Sequence, residues 1–203
     1  KYLSADQLRY YLTCIMPETS DSEFNWEDFV SRNNDELAAK WGNLVQRVTS
    51  FTKNRMENSI PNQVHTSNES KELKKHIEDT YIFAADKIEK VELRSALASI
   101  MNAAQETNKY LEKTEPWKKI KENKELADES IYCALESIYN IAIMLYPFVP
   151  FSSKSVLKAF GNEIIYSQIK WEYQKIKPGT NLEELTILYE KLELNEINEI
   201  FKR

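Results

Sequence analysis

The sequence predicts an all-α protein folded as an antiparallel bundle of helices. The first observation is a scarcity of turn residues, because the 203 residues include only 3 Gly and 6 Pro, against usual shares of roughly 7% and 5%. The second is a series of apolar residues spaced three and four apart, which is the period of an amphipathic helix. The third is a composition of 42% hydrophobic and 29% charged residues, which supplies a sizeable core at this length. These observations favour a few long helices over many short strands.

The first two predicted helices lie before residue 57. Ser4 and Gln7 have the spacing of a capping box, so a helix is expected to begin here. Its apolar residues at helical spacing are Leu8, Tyr11, Leu12 and Ile15. A loop over Pro17–Asn25 leads into a long helix expected from Trp26 to Met56. The apolar stripe of that helix consists of Leu37, Trp41, Leu44, Val48 and Phe51.

The middle of the chain predicts three more long helices. They are expected over residues 70–87, 93–111 and 126–146. Their apolar stripes are Leu73, Ile77, Tyr81 and Ala84 in the first, Leu97, Ile100, Ala104 and Leu111 in the second, and Ile131, Leu135, Ile138, Ala142 and Leu145 in the third. Between the last two, Pro116 is suited to the first turn of a short helix.

The last quarter of the chain gives weaker patterns. Ser152 or Ser153 is expected to cap a short helix that runs to Phe160 and ends at Gly161. The following residues up to 178 are expected to be irregular, with an extended piece around Ile164 and Ile165. The stretch from Leu182 to Phe201 is acidic and amphipathic, and is expected to be a C-terminal helix.

Several functional classes are disfavoured by what the chain lacks. Cys14 and Cys133 fit neither a zinc spacing nor a disulfide framework, which points to a reducing, cytoplasmic compartment. With two histidines, no Gly-rich phosphate loop and no Ser/His/Asp grouping, we expect no catalytic residues, no metal site and no bound cofactor. The longest apolar stretch, residues 138–151, is too short for a bilayer, so no membrane partner is expected. The chain begins with Lys1 rather than Met and is expected to be part of a longer protein.

Charge is unevenly distributed in this chain. The net charge of -5 argues against a general nucleic-acid binder, which usually has an overall basic surface. Residues 40–55, however, contain four cations and no acid, and residues 109–124 contain six lysines against three glutamates. A local basic patch can bind an anion even on an acidic protein. Solvated helix faces are the alternative reading of both segments.

Two segments combine planar or aromatic side chains with these cations. Asn43 and Arg47 lie one turn apart on a helix, beside the apolar stripe and near Lys40. An amide and a guanidinium together suit the edge of a nucleobase, although both side chains could instead pair with neighbouring helices. Trp117 follows Pro116 and precedes Lys118 and Lys119. It is either a stacking platform with lysines facing phosphate or a core anchor at an interhelical corner.

An ordered set of motifs resembles the methionyl branch of the class I aminoacyl-tRNA synthetases. It runs through nearly the whole chain, and each motif alone has little specificity. The matching segments are Ser4–Leu12, Phe24–Phe29, Gly42–Arg47, Asn108–Tyr110, Glu115–Trp117, Tyr146–Phe151 and Leu188–Glu193. The first resembles the segment that leads into the anticodon-binding domain.

The resemblance implies that this chain is the C-terminal, α-helical anticodon-binding domain of a methionine–tRNA ligase. Residues 1–22 would be the tail of the segment that connects to the catalytic domain, and residues 23–203 would be the anticodon-binding domain with its acidic helix. In that family the full enzyme activates methionine with ATP and magnesium and attaches it to tRNA, and its catalytic domain usually carries a zinc-binding insertion. Since this chain lacks the ATP-binding signatures, it is expected to bind tRNA without catalysing the reaction. Its implied partners are the anticodon loop of tRNA(Met) and the enzyme's own catalytic domain.

The resemblance also assigns site residues. In the family, the Trp after the Pro stacks on the first anticodon base, and the Asn and Arg one turn apart hydrogen-bond to bases of the CAU anticodon. These roles are implied here for Trp117, Asn43 and Arg47, with Pro116 setting the position of the Trp. Supporting or phosphate contacts are implied for Lys40, Asn108, Tyr110, Lys118 and Lys119.

Two alternatives remain open from the sequence. A sibling synthetase for isoleucine, valine, leucine or cysteine would share the helical domain and the Asp-x-Leu-Arg motif, but not the combined Asn-Leu-x-x-Arg and Pro-Trp pair. A helical interaction module without an RNA role would bury the Trp117 indole and pair Arg47 within the bundle.

Overall fold

The computed structural model describes residues 3–18, 21–62, 66–161 and 169–201. His65 and the extended piece expected around Ile164 and Ile165 lie outside these ranges. The described helices are α1 (Ala5–Cys14), α2 (Trp26–Arg32), α3 (Asn43–Arg55), α4 (Asn68–Glu89), α5 (Leu93–Thr114), α6 (Pro116–Glu122), α7 (Lys124–Leu145), α8 (Pro150–Ala159) and α9 (Leu194–Phe201), with a π-helical segment (Asn33–Gly42) between α2 and α3. Across these ranges the extended pairing is a single antiparallel bridge between Ser59 and Asn181. The all-α prediction is confirmed.

Helix α7 lies at the centre of the bundle. It contacts α3, α4, α5, α6 and α8, and α4 packs along α5 as the neighbouring hairpin. Consecutive residues of α7 such as Ile131, Tyr132 and Cys133 are all buried. The sequence predicted burial of one face only, because its apolar stripe was the visible pattern. Helices on several sides cover the other faces as well. In the described part of the chain, no helix has the length and apolar character to cross a membrane.

Helix α1 is held against the start of α8 by its own polar residues. The predicted capping box of Ser4 and Gln7 is present. The Asp6 carboxylate accepts hydrogen bonds from the backbone N–H groups of Phe151 (3.3 Å) and Ser152 (2.7 Å). Arg9 donates to the carbonyl oxygens of Phe148 (3.0 Å) and Pro147 (2.7 Å). Two segments that resemble the synthetase family therefore bind each other directly.

Two predictions about α1 and α8 are wrong for this reason. Ser152 and Ser153 do not cap α8, which begins at Pro150 without a cap from its own side chains. Asp6 supplies that function from α1. On α1, Tyr11 is buried as predicted, but Leu8 and Leu12 are 40% and 47% exposed, and Tyr10, outside the predicted stripe, is buried. The buried face is thus rotated from the predicted one, toward the side that carries Asp6.

The predicted long helix is continuous but contains a change of hydrogen-bond register. Asn33 and Asn43, at the two ends of the π-helical segment, both have right-handed helical dihedral angles. The N–H of Asn43 donates to the carbonyl of Ala38, five residues earlier. A Cβ on Gly42 would lie 3.2 Å from the Leu37 carbonyl oxygen and 3.6 Å from Cδ2 of Tyr189. The Leu37 carbonyl is the crowded contact, so glycine relieves crowding within the π-helical segment directly before Asn43.

The expected helix over 182–201 is present only from Leu194 onward. The backbone groups of the preceding residues form hydrogen bonds with other parts of the fold. The N–H of Leu182 donates to the Asn58 carbonyl (3.2 Å), and the N–H of Glu183 donates to the Ala159 carbonyl (2.8 Å). Asn34 binds both backbone groups of Leu192, at 2.9 and 2.8 Å. Amphipathicity was visible in the sequence, but these distant partners were not.

Glu129 of α7 holds the start of α4, and this contact gives a prediction about pH. Its carboxylate accepts hydrogen bonds from the backbone N–H groups of Thr66 and Ser67, both at 2.9 Å, and from their hydroxyls. Burial acts to raise the pKa of Glu129, but these bonds outweigh it and lower the pKa below its usual value. Ionised Glu129 therefore stabilises the fold above its unfolded-state pKa, and this contribution is lost as pH falls through the folded-state pKa.

Glu129→Gln is expected to lower the free energy of unfolding at pH 7 by about 1–3 kcal/mol, because backbone donors lose a charged acceptor. The variant should also lose part of the fall in stability that the parent chain shows as pH drops below about 4.5. Urea unfolding between pH 3 and pH 7 measures both effects. Glu125→Gln, an exposed change in the first turn of the same helix, should leave both nearly unchanged. Equal pH profiles for parent and Glu129→Gln would contradict the role of this carboxylate.

Candidate nucleic-acid interface

Arg47 of α3 and Asn108 of α5 meet across the seam between the two helices. The Asn108 Oδ1 accepts a hydrogen bond from Arg47 Nη2 at 2.9 Å. Its Nδ2 donates to the carbonyl oxygens of Lys40 and Ala104, both at 3.1 Å. Because both carbonyls require the NH2 group, the amide oxygen must face Arg47. Asn108 thus fixes the position of the guanidinium.

Trp117 stands at a tight corner between α5 and α6. Glu115 has left-handed dihedral angles (φ 45°, ψ 54°), and buried Pro116 occupies the first turn of α6. The indole is half-buried and packs partly against the main core. The Cζ of Arg47 lies 5.2 Å from the centroid of the ring. This distance is within the range of a cation–π interaction. The two sequence segments singled out separately therefore form one site.

An open groove of about 660 Å³ lies beside this pair, between the helix that carries Arg47 and α5. Exposed Asn43 lines it, together with half-buried Lys40. The full lining consists of Ala39, Lys40, Asn43, Gln46, Arg47, Ser50, Gln105, Asn108 and Glu112. Gln46 and Gln105 also line this groove, although no sequence pattern marks them. Their neighbouring positions on α3 and α5 become visible only once the helices are packed.

Of the remaining predicted residues, two follow Trp117 on α6 and one is buried against α4. Lys118 forms an ion pair with Glu115 at 2.6 Å, and Lys119 is half-buried. Tyr110 is buried, and its hydroxyl shares a hydrogen bond of 2.8 Å with Ser70 of α4. Tyr110 thus supports the α4–α5 packing on the opposite side of α5 from the groove. The structure does not bring it together with Arg47 and Trp117.

The groove offers the chemistry of base recognition. Arg47 and Asn43 expose N–H donors, and Asn43 adds a carbonyl acceptor. Trp117 lies outside the lining of the groove, with its ring against the Arg47 guanidinium. The interaction-module alternative predicted a buried indole and an arginine paired within the bundle. Trp117 is half-buried rather than buried, whereas Arg47 does pair within the bundle, with Asn108, and is exposed. Over the described ranges no cluster of His, Cys, Asp and Glu could hold a metal ion.

Two family models match this sequence. One, described as the anticodon-binding domain of methionyl tRNA ligase, matches residues 60–203. The other, described as class I tRNA synthetases (M), matches residues 1–49. The first therefore includes Asn108 and Trp117, and the second includes Asn43 and Arg47.

Curated relatives and solved structures agree with these models. The methionine–tRNA ligase of Thermomicrobium roseum is 38% identical over 156 residues, which are 77% of this chain and 27% of the relative. That of Dehalococcoides mccartyi is 37% identical over 201 residues, 97% of this chain and 35% of the relative. This chain thus spans about a third of their length or less. The apo crystal structure of Mycobacterium tuberculosis methionyl-tRNA synthetase has a TM-score of 0.86 at 23% identity, covering 94% of this chain and 39% of that one. This likeness shows that the two share the fold.

Proposed function

The chain belongs to the family of anticodon-binding domains of methionyl-tRNA ligases, and from that premise we propose that its groove reads the CAU anticodon of tRNA(Met). Trp117 stacks on the first anticodon base, and Asn43 and Arg47 hydrogen-bond to anticodon bases. The observation that carries this proposal is the contact of Arg47 with both Asn108 and Trp117. An arginine donor and a stacking surface that are already in contact suit an unpaired base, because its edge forms hydrogen bonds and its face stacks on an aromatic ring.

The residues around Arg47 and Trp117 either position these two side chains or attract the RNA backbone. Pro116 fixes the corner from which Trp117 projects. Asn108 positions Arg47, and Lys40 accepts a hydrogen bond from Asn108 through its carbonyl and lines the groove. Lys118 and Lys119 attract the RNA backbone through their charge, Lys118 after its ion pair with Glu115 has opened. Specificity then comes from the hydrogen bonds and stacking that a wrong base loses.

The proposal extends to the longer protein. Residues 1–22 connect to a catalytic domain outside this chain, and residues 23–203 form the anticodon-binding domain. The longer protein is a cytoplasmic methionine–tRNA ligase that uses ATP and magnesium, from a family whose catalytic domain usually carries a zinc-binding insertion. Both matched models describe the methionyl branch, which favours this reading over a synthetase for isoleucine, valine, leucine or cysteine.

Fluorescence anisotropy of a labelled anticodon stem-loop tests the proposal. We expect the chain to bind the CAU loop at about 0.1 M salt, and to bind a loop changed only at the first anticodon base roughly 5- to 150-fold more weakly. This range corresponds to about 1–3 kcal/mol of discrimination for a lost base contact. Binding that ignores the base and disappears as salt rises would indicate charge attraction alone. That outcome would overturn the proposed reading of the anticodon.

A further inference from the structure

Half of the lysines near Trp117 form an ion pair with a carboxylate. Residues 109–124 contain six lysines. Three of them form ion pairs, namely Lys109 with Glu106 (2.7 Å), Lys113 with Glu69 (3.2 Å) and Lys118 with Glu115 (2.6 Å). A lysine in such a pair must leave its carboxylate before it neutralises a phosphate. The number of lysines therefore overstates the positive charge that this surface offers to RNA.

The other three lysines differ in their surroundings. Lys119 is half-buried and close enough to Glu69 to contribute to the lowered pKa of that carboxyl. Lys124 acts to lower the pKa of Asp128, one turn further along α7, although burial of that carboxyl raises its pKa overall. Lys121 is exposed and forms neither an ion pair nor a hydrogen bond with any residue in the described ranges. Its ammonium group is therefore available without the loss of an internal contact.

Lys121 also lies one helical turn from Trp117, on the same short helix. It follows Trp117 by four residues on α6, so the two side chains share a face of the helix, with Cβ atoms about 5–6 Å apart. Side chains on a helix lean toward its N-terminus. A lysine at this position can therefore extend toward the indole, and its length lets the ammonium group reach beyond the ring edge.

We propose that Lys121 binds a phosphate of the RNA backbone next to the base that stacks on Trp117. This inference rests on the proposed function, because the stacked base fixes where the backbone passes. Lys121 supplies affinity that does not depend on the base, whereas Asn43 and Arg47 supply discrimination. The paired lysines contribute less, since each must first give up an ion pair.

The salt dependence of binding tests this division of roles. Lys121→Gln should weaken binding about fivefold at roughly 0.1 M salt, and should reduce the slope of log affinity against log salt by about 0.7, the value for one phosphate contact on a single strand. The loss should be the same for the CAU loop and for the loop changed at its first base. Lys121→Arg keeps the charge and should retain most of the affinity and the slope.

Lys113→Gln is the matched control, because Lys113 has the same charge but is paired with Glu69. It should change affinity less than Lys121→Gln does. An unchanged slope for Lys121→Gln, or a loss confined to the CAU loop, would overturn the phosphate contact. If the parent chain fails to distinguish the two loops while Lys121→Gln still lowers the slope for both, anticodon reading fails and the phosphate contact stands.

Discussion

Trp117→Ala is expected to lower affinity for the CAU anticodon stem-loop by roughly 5- to 150-fold, since stacking of one base on an aromatic side chain contributes about 1–3 kcal/mol. The substitution also removes the ring against which Arg47 lies at 5.2 Å. Arg47 would still donate to Asn108, but its guanidinium would lose the flat surface that limits its movement. Loss of stacking and loss of this support act in the same direction, which places the effect among the largest for a single change at this site.

Anisotropy titration of the two loops measures this effect, and two further variants make it specific. Trp117→Phe retains an aromatic face and should recover part of the affinity. Trp171→Phe changes another half-buried tryptophan, whose indole N–H donates to the Tyr81 carbonyl at 3.0 Å. It should leave RNA binding unaffected. Unaltered affinity of Trp117→Ala would rule out the stacking role, and an equal loss in Trp171→Phe would show that general destabilisation is the cause.

Local sequence patterns were sufficient to place the long helices α4, α5 and α7. The stripe of Leu73, Ile77 and Tyr81 places the buried face of α4 correctly. The π-helical register of residues 33–42 has no such pattern. It occurs where distant groups hold the helix, through the bond of the Tyr10 hydroxyl to Glu36 and the two bonds between Asn34 and Leu192. A helix period read from one segment contains no information about these partners.

In the candidate site, too, the residue types are visible in the sequence but their contacts depend on distant parts of the chain. Trp117 and Arg47 stand out in the sequence because their residue types and neighbours suit nucleobases. Their contact depends on the packing of α5 against the π-helical segment that leads into α3 and on the corner at Glu115, neither of which has a local pattern. Asn108 was assigned only through the resemblance to the synthetase family. The role of this residue becomes a physical one once two carbonyls are seen to fix the orientation of its amide.

Trp41→Ala is expected to reduce the free energy of unfolding by about 3–5 kcal/mol, the cost of removing a large aromatic side chain from a core. Trp41 is fully buried in the main core. It lies in the segment that leads directly into Asn43 and Arg47. Since small domains have a total stability of only about 5–15 kcal/mol, this one change removes a large fraction of it. Urea unfolding followed by circular dichroism measures the shift in the midpoint.

Trp41→Phe separates packing from hydrogen bonding at this position. In the described part of the chain, the Trp41 Nε1 has no hydrogen-bond partner. Replacing the indole with a phenyl ring therefore forfeits no bond, and it removes a buried donor that costs free energy when unpaired. We expect Trp41→Phe to lose clearly less stability than Trp41→Ala, because the ring still fills most of the space. Equal losses for the two variants would mean that the indole N–H, rather than the volume of the ring, stabilises the helix that carries Asn43 and Arg47.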